Sequence, residues 1–252
     1  MPRYFLEVSY KGARYSGFQI QDNANSVQAE IEKAFALFFR KRIQMTGSSR
    51  TDTGVHALQN FFHFDFDGSI AGSSLYNINS ILPEDIVVKN LYLVEPEKHC
   101  RFDAISREYH YYVHQQKDPF LRDRAYYYPY TLDIEKLQAA ASIVTAHTDF
   151  TSFSKRNTQT KTFLCTINKS AWIKNENTYI YQVKANRFLR GMVRGLTGTM
   201  LQVGRNKISL AAFTAIIESK DCTQVDFSVP AHGLFLTNVN YPDGMLKPRD
   251  EL

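Results

Sequence analysis

The segment from Gly47 to His56 holds residues whose types and spacing could do chemistry in this 252-residue chain. It is polar and bracketed by glycines, as loops that carry function often are. Arg50 and Asp52 lie two positions apart, so on extended backbone their side chains share a side and can form an ion pair that keeps the carboxylate ionised. An ionised carboxylate in a partly closed site can act as a nucleophile or a base. Taken alone, Asp52 also suits an Asx turn before Gly54, with its side chain accepting backbone hydrogen bonds.

Apolar periodicity predicts the elements that position this segment. Residues 2–10 alternate as a strand, and a helix stripe starts at Val27 with Asn25 or Ser26 as its cap. The segment lies between that helix and a phenylalanine-rich strand at 60–66. The same patterns predict further helices at 73–82, from Asp133 and from Ser209, and further strands at 86–94, 107–114, 162–174, 179–184 and 233–241. The chain is therefore expected to mix helices and strands in both halves.

The cysteine and histidine patterns narrow the class of protein. Cys100, Cys165 and Cys222 are odd in number and form no C-x-x-C pair, which suits a reducing compartment. The seven histidines form none of the spacings typical of a metal site, so no metal is expected. No stretch approaches the roughly 18 apolar residues of a membrane span. The chain starts without the apolar segment of a signal peptide, and the cytoplasm is the expected compartment.

The net charge of +5 is only mildly basic, but the cations are clustered. They concentrate at 40–42, at 155–161 and at Arg187, Arg190 and Arg194. A helix predicted at 188–203 has an apolar face and an opposite face that holds these arginines together with Gly191, Gly195 and Gly198. Glycine costs about 1 kcal/mol in a helix interior, so something is expected to approach this face closely. Two interpretations stay open: tight packing against another element, or an RNA backbone lying on the surface.

Taken whole, the segment from Gly47 to His56 closely resembles the signature G-x-x-R-T-D-x-G-V-H of the tRNA pseudouridine synthase A family. Other segments resemble the family in the same order and cover nearly the whole chain: Ser9-Tyr10-Lys11-Gly12, Tyr15-Ser16-Gly17-Phe18-Gln19, Cys100-Arg101-Phe102-Asp103-Ala104, Arg107-Glu108-Tyr109-His110-Tyr111, Asp149-Phe150-Thr151-Ser152-Phe153 and Ala185-Asn186-Arg187-Phe188. Thr53 departs from the alanine usual in the family, and Ser48-Ser49 replaces a pair that often contains glycine. These two departures suggest a slightly stiffer loop beside Asp52.

The resemblance implies a fold and a division of the chain. The expected class is α+β, with two sheet-and-helix halves, each like an RRM domain, sharing a central, mostly antiparallel mixed sheet in a pseudouridine synthase fold. Residues 1–105 would form the half that carries the catalytic loop, 106–245 the C-terminal half, and 246–252 a flexible tail. It also implies a homodimer whose two subunits jointly form the groove for RNA.

The resemblance also implies an activity. Asp52 would be the catalytic residue of a cofactor-free isomerase that converts uridine to pseudouridine in the anticodon stem-loop of tRNA, at about positions 38–40. Arg50 would assist by filling the space that the flipped base leaves. Tyr109 maps onto the active-site tyrosine of the family, and its ring could stack on the uracil. By analogy with the family, Leu234 would pack on the base, although ordinary core packing explains it as well.

Two other functions fit parts of the sequence. A noncatalytic RNA-binding protein could use the aromatic residues as stacking platforms, but it would have no need of the Arg50-Thr51-Asp52 motif. A hydrolase or glycosidase would need a second carboxylate about 5–10 Å from Asp52. The candidates for that second carboxylate are Asp65, Asp67 and Asp103.

Overall fold

A computed structural model of the protein describes residues 1–156 and 160–247. These residues contain five α-helices and nine strands of a mixed sheet, which confirms the predicted α+β class. The chain separates into two compact units: Met1–Ile105 with the C-terminal segment from Leu236, and Ser106–Phe235. The last five residues of the predicted flexible tail, 248–252, lie outside the described residues. No helix in the described part is long and apolar enough to cross a membrane.

The first unit is a sheet with two helices. Its elements, in chain order, are β1 (Arg3–Tyr10), α1 (Val27–Phe39), β2 (Thr46–Gly47), β3 (His56–Asp65), α2 (Ser74–Ile81) and β4 (Ile86–Val94), with most of the last strand, β9 (Leu234–Asn240). The strand order is β4-β1-β3-β9, and β2 pairs with β3. Strand β1 runs antiparallel to both of its neighbours.

Local signals in the first unit match the structure closely. The Ser26 hydroxyl caps α1 by accepting a hydrogen bond from the Ala29 N–H, as one of the two predicted caps. Strand β4 has the predicted bounds. Strand β3 begins at His56 instead of residue 60, because its first residues pair with the end of β1 although they lack a clear apolar alternation. The core beneath the sheet is aromatic, with Phe18 and Phe62 stacked at 4.4 Å.

The second unit repeats this style with three helices. Its elements are β5 (Ser106–His114), β6 (Tyr126–Tyr127), α3 (Ile134–Thr145), β7 (Ile167–Asn175), β8 (Thr178–Ala185), α4 (Met192–Gly204) and α5 (Leu210–Glu218). The strand order is β5-β8-β7, antiparallel, with β6 parallel to β5. Asp133 and Ser209 cap α3 and α5 with their side chains, at the predicted starts of these helices.

The glycine-rich helix starts later than predicted, and the structure decides between the two interpretations of its glycines. It begins at Met192 and not at residue 188, because Gly191 takes a left-handed conformation with φ of 77° and interrupts the helical backbone. Gly195 and Gly198 are buried against the chain itself. A Cβ on Gly198 would lie 2.2 Å from the backbone oxygen of Asp226. The packing interpretation is therefore confirmed for these two glycines, and the idea that they smooth a surface for an RNA backbone is wrong.

Candidate active site

The segment that carries Arg50 and Asp52 connects β2 to β3. Strand β2 pairs antiparallel with β3, with Thr46 opposite His63 and Gly47 opposite Phe62, so the chain turns back on itself within residues 48–55. Gly47 is required at this entrance, because a Cβ there would lie 2.2 Å from the ring of Phe18. The loop is therefore short, and it starts from a strand that its pairing with β3 holds in place.

A buried amide holds the first part of the loop. Asn60 on β3 has no exposed surface. Its Oδ1 accepts a hydrogen bond from the Ser49 N–H at 3.3 Å, and its Nδ2 donates to the Ser49 carbonyl at 2.8 Å. The same Nδ2 also donates to the Tyr10 hydroxyl at 3.2 Å, which in turn lies 2.8 Å from the Thr51 hydroxyl. Residues on both sides of Arg50 are therefore fixed by groups on β1 and β3.

The backbone around Asp52 is held on both sides. The Phe18 N–H donates to the Thr51 carbonyl at 3.1 Å, and the Val55 N–H donates to the Asp52 carbonyl at 3.1 Å. The second bond closes a turn in which Gly54 has a φ of 80°, a conformation that favours glycine. These bonds leave the Asp52 carboxylate on a backbone with little freedom to move.

Close packing reinforces the turn from outside. Gly17, with a φ of 98°, lies against the loop, and a Cβ there would be 3.1 Å from the Thr51 carbonyl oxygen. The Gly12 N–H donates to Nδ1 of His56 at 3.1 Å. A Cβ on Gly12 would lie 1.9 Å from the Val55 carbonyl oxygen. The two glycines therefore allow the chain between β1 and α1 to pack directly on the loop.

Burial alternates along the loop. Ser49 and Thr51 are buried, whereas Arg50 is exposed and Asp52 is half-buried. This alternation supports the expectation that Arg50 and Asp52 point to the same side, away from the residues that anchor the loop. The ion pair between them remains a prediction.

Tyr109 lies in the second unit, on β5 opposite Val183 of β8. It is 9% exposed, and its ring meets Phe188 edge to face with centroids 5.1 Å apart. The neighbouring Tyr111 is fully buried and donates its hydroxyl hydrogen to the Pro230 carbonyl at 2.7 Å. Burial raises the pKa of Tyr111, which keeps it neutral. Tyr111 is therefore part of the core of this unit.

The remaining predicted binding residues also lie in the second unit. Leu234 is buried at the start of β9, Arg187 is half-buried, and Arg190 is exposed. Arg194 is half-buried and donates from Nε to the Val229 carbonyl at 2.9 Å and from Nη2 to the Phe227 carbonyl at 3.3 Å. Arg194 thus helps to hold the segment that covers α4.

The carboxylates considered for a hydrolase have other roles or a solvent-facing position. Both oxygens of Asp65 accept hydrogen bonds from Arg3 at 2.8 Å, and these bonds lower the pKa of Asp65. Asp103 accepts a hydrogen bond from the His99 N–H at 2.6 Å. Asp67 is exposed. None of these three positions favours a hydrolytic pair with Asp52.

The sequence did not identify Asn60 and Tyr10 as parts of this site, although the motif contains Ser49 and Thr51, with which they form hydrogen bonds. The available signal was a polar amide within a run of phenylalanines. A buried amide needs hydrogen-bond partners, and the nearest polar backbone is the loop itself. The missing information was the register of β3 against β1 and β2.

Comparison with known proteins defines the class. A family model described as tRNA pseudouridine synthase matches residues 140–242. The chain is 41% identical to tRNA pseudouridine synthase A of Azobacteroides pseudotrichonymphae over 248 residues, which span 98% of this chain and 100% of the relative. It is 41% identical to the enzyme of that name from Parabacteroides distasonis over 253 residues, spanning 99% and 100% of the two chains. With the enzyme of that name from Staphylococcus aureus it shares 36% identity over 240 residues, spanning 94% and 91%.

The fold is that of the pseudouridine synthases, enzymes that isomerise uridine in RNA. The chain belongs to the tRNA pseudouridine synthase A family. This confirms the family that its motifs indicate.

Proposed function

We propose that this chain converts uridine to pseudouridine in the anticodon stem-loop of tRNA, at about positions 38–40, with Asp52 as the catalytic residue. The relatives are named for action on tRNA, which supports that substrate class. The observation that carries the proposal is the loop itself: the backbone of Asp52 is hydrogen-bonded on both sides, and its side chain is half-buried. A reaction on tRNA also fits the expected cytoplasmic location.

The isomerisation balances without any redox partner. The N1–C1′ bond breaks, the uracil turns, and a C5–C1′ bond forms. C5 loses its proton, and N1 ends with one. Two routes use an ionised Asp52: covalent addition to the ring or sugar, and removal of a sugar proton. In both routes the carboxylate must keep a fixed direction, which the bonds to Thr51 and Val55 provide.

The target base must leave its stack before Asp52 can reach it, at a cost of a few kcal/mol. Arg50 is exposed beside Asp52, and its planar guanidinium suits the space that the base vacates. Tyr109 would stack on the uracil and hold or relay a proton with its hydroxyl. Its edge-to-face contact with Phe188 fixes the ring plane for that purpose. Leu234 would also pack on the base.

Affinity for tRNA would come from phosphate contacts. Arg187 and Arg190 are the two arginines best suited to this role, since Arg194 already uses two of its donor atoms on backbone carbonyls. We also propose that two copies of the chain assemble and jointly form the RNA groove. Sedimentation of the purified protein would give the mass of a dimer if this is so.

The central test uses tRNA that carries tritium at C5 of uridine. Wild-type protein should release tritium without added metal or nucleotide, and Asp52→Asn should release it roughly 10³-fold more slowly or not at all, because the amide cannot act as nucleophile or base. Retention of tRNA on a filter should be the same for both proteins. Asp67→Asn, at an exposed carboxylate, is the matched control and should behave as wild type.

Two outcomes would count against the proposal. Unchanged release by Asp52→Asn would remove Asp52 from the reaction. Binding of tRNA without release by the wild-type protein would favour the noncatalytic RNA-binding alternative.

A further inference from the structure

Three side chains that can bind a metal ion meet beside β3 in the first unit. They are His63, His99 and Cys100, and one ligand atom from each lies within 4.8 Å of the others. His63 and Cys100 are buried and His99 is half-buried. Nδ1 of His63 and Sγ of Cys100 are 3.2 Å apart. We propose that these three residues form a binding site for one Zn²⁺ ion.

The distances suit a tetrahedral ion. Zinc binds thiolate sulfur at about 2.3 Å and imidazole nitrogen at about 2.0–2.1 Å, which places neighbouring ligand atoms roughly 3.3–3.8 Å apart. The separation between His63 and Cys100 is already close to that range, and the largest separation in the group exceeds it by only about 1 Å. Nδ1 of His63 also accepts a long hydrogen bond of 3.4 Å from the Cys100 N–H. Side-chain rotations that turn Nδ1 from this N–H to the ion therefore complete the geometry.

Neighbouring groups orient the ligands. Nδ1 of His99 accepts a hydrogen bond from the Arg101 N–H at 3.1 Å, so its Nε2 is the atom available for the ion. The carbonyl oxygen of Thr46 lies 3.2 Å from the Cys100 sulfur. That oxygen or a water molecule would supply the fourth ligand. Half-exposed His99 gives the ion a way in from solvent.

The chemistry of the ligand set selects the ion. One thiolate and two imidazoles suit zinc and disfavour magnesium and calcium, which prefer oxygen ligands. The charge of Arg3 acts on both His63 and His99, but both oxygens of Asp65 hold its guanidinium at 2.8 Å, so this charge is compensated. Binding would release the thiol proton of Cys100 to solvent.

The site would act on stability, away from the reacting atoms. His63 belongs to β3 and Thr46 to β2, whereas His99 and Cys100 belong to the turn that follows β4. The Tyr241 hydroxyl links this turn to the start of the catalytic loop, donating to the Cys100 carbonyl at 2.5 Å and lying 3.4 Å from the Ser48 hydroxyl. A bound ion would tie the turn to the two strands at the base of the loop.

The test measures metal binding by the full-length protein after treatment with a chelator. With Co²⁺ as a spectroscopic substitute, one ion per chain should give the intense visible bands of a tetrahedral site and a thiolate-to-metal charge-transfer band. Zn²⁺ should abolish both bands by displacement and raise the melting temperature. Cys100→Ser and His99→Gln should each weaken binding by about 100-fold or more, since even losing an outer partner of a ligand costs about 10–100-fold.

Cys222→Ser is the matched control, because Cys222 is a partly exposed thiol in the other unit, and it should keep wild-type binding. His99→Gln is the variant least expected to disturb folding, since His99 is half-exposed. No binding by the wild-type protein, binding without the thiolate band, or binding by either ligand variant as tight as that of the wild type would overturn the proposal. This test measures metal binding and does not measure tritium release. A failure of the zinc proposal is therefore independent of the outcome for Asp52.

Discussion

The Asn60 side chain has no exposed surface, and besides accepting from the N–H of its neighbour Phe61 at 2.9 Å it makes three hydrogen bonds to other segments of the chain. A buried amide is costly unless its donors and acceptors are satisfied, so each of these bonds constrains its partner as strongly as it constrains Asn60. Two of them act on the backbone of Ser49, and the third reaches Thr51 through the Tyr10 hydroxyl. At the scale of single residues, Asn60 therefore sets the position of the loop that carries Asp52.

Replacing Asn60 by alanine should separate positioning from binding. We expect Asn60→Ala to lower kcat by about 10–100-fold with little change in KM for tRNA, because the carboxylate loses its direction while the RNA contacts remain. Stability should fall by about 2 kcal/mol, since the Ser49 backbone loses its partners. Steady-state tritium release and urea unfolding measure the two effects.

Asn79 offers the control. Its amide also makes two bonds to one backbone residue, Val88, but on α2 and β4, away from the loop. Asn79→Ala should cost stability and leave kcat close to wild type. Equal losses of kcat in the two variants would show that the effect of Asn60→Ala is a general loss of stability.

At the scale of elements, α4 shows why its glycines are needed. Gly198 faces the backbone of Asp226, and Gly195 faces the side chains of Val225 and Phe227. Arg194 donates to carbonyls of the same segment. The backbones of the helix and of this segment are therefore in direct contact at Gly198. Any side chain larger than the hydrogen atom of glycine would prevent this contact.

The two glycines should respond differently to alanine. Gly198→Ala should destabilise the protein by about 2–3 kcal/mol, because the new methyl group would meet a backbone oxygen that cannot move alone. Gly195→Ala should change stability by less than about 1 kcal/mol, since the side chains it meets can rotate and alanine is favoured in a helix by about that amount. Urea unfolding of both variants gives the comparison. Equal costs would mean that the segment over α4 is free to shift.

A buried carboxylate joins three strands of the first unit. Glu7 on β1 accepts hydrogen bonds from Asn90 and Tyr92 on β4 and from Gln59 on β3. Burial by itself would raise the pKa of Glu7, but these hydrogen bonds outweigh it, and the pKa lies below its ordinary value of 4.5. The ionised form is therefore the one that the folded protein stabilises.

This shift predicts a pH dependence. Because the folded pKa of Glu7 lies below the unfolded one, its contribution to stability is present above about pH 4.5 and is lost as the pH falls through the folded pKa. Glu7→Gln should lower the free energy of unfolding by about 1–3 kcal/mol at pH 7, and the difference from wild type should narrow in acid. Urea unfolding at neutral pH and near pH 3.5 tests this. If the difference in the free energy of unfolding stayed constant with pH, it would not come from an ionised Glu7. Glu135→Gln, on an exposed face of α3, is the control and should unfold like the wild type at both pH values.

At the scale of the whole molecule, the charge of +5 is modest for a protein proposed to bind tRNA. Affinity should then depend on a few local contacts instead of a general attraction. Arg190→Ala should reduce the slope of log affinity for tRNA against log salt concentration by about 1, because one phosphate contact is lost. Filter binding over a salt series measures the slope. Lys33→Ala, at an exposed cation on α1, is the control and should leave the slope unchanged. If both variants changed the slope equally, the phosphate contact would not be specific to Arg190.

Much of the secondary structure and the candidate loop was readable from the sequence. The apolar period predicts α1, α3 and α5 and where each of them begins, and alternation predicts β1, β4 and β5. These signals depend on residues at most four positions apart. The motif that contains Arg50 and Asp52 predicts the family by itself, because its residues are contiguous. Where a backbone feature intervened, as at left-handed Gly191, the predicted start of α4 was four residues early.

The sequence by itself determined the class of fold, the family and the identity of the candidate loop. Only the tertiary structure decided what holds that loop, why α4 contains glycines, and that two histidines and a cysteine meet. Asn60 and Ser49, Gly198 and Asp226, and His63 and Cys100 are 11 to 37 residues apart, and each pair is brought together by sheet register or by packing of a returning segment. Local patterns carry no information about such contacts, because they arise from how strands pair and not from how any one strand is composed.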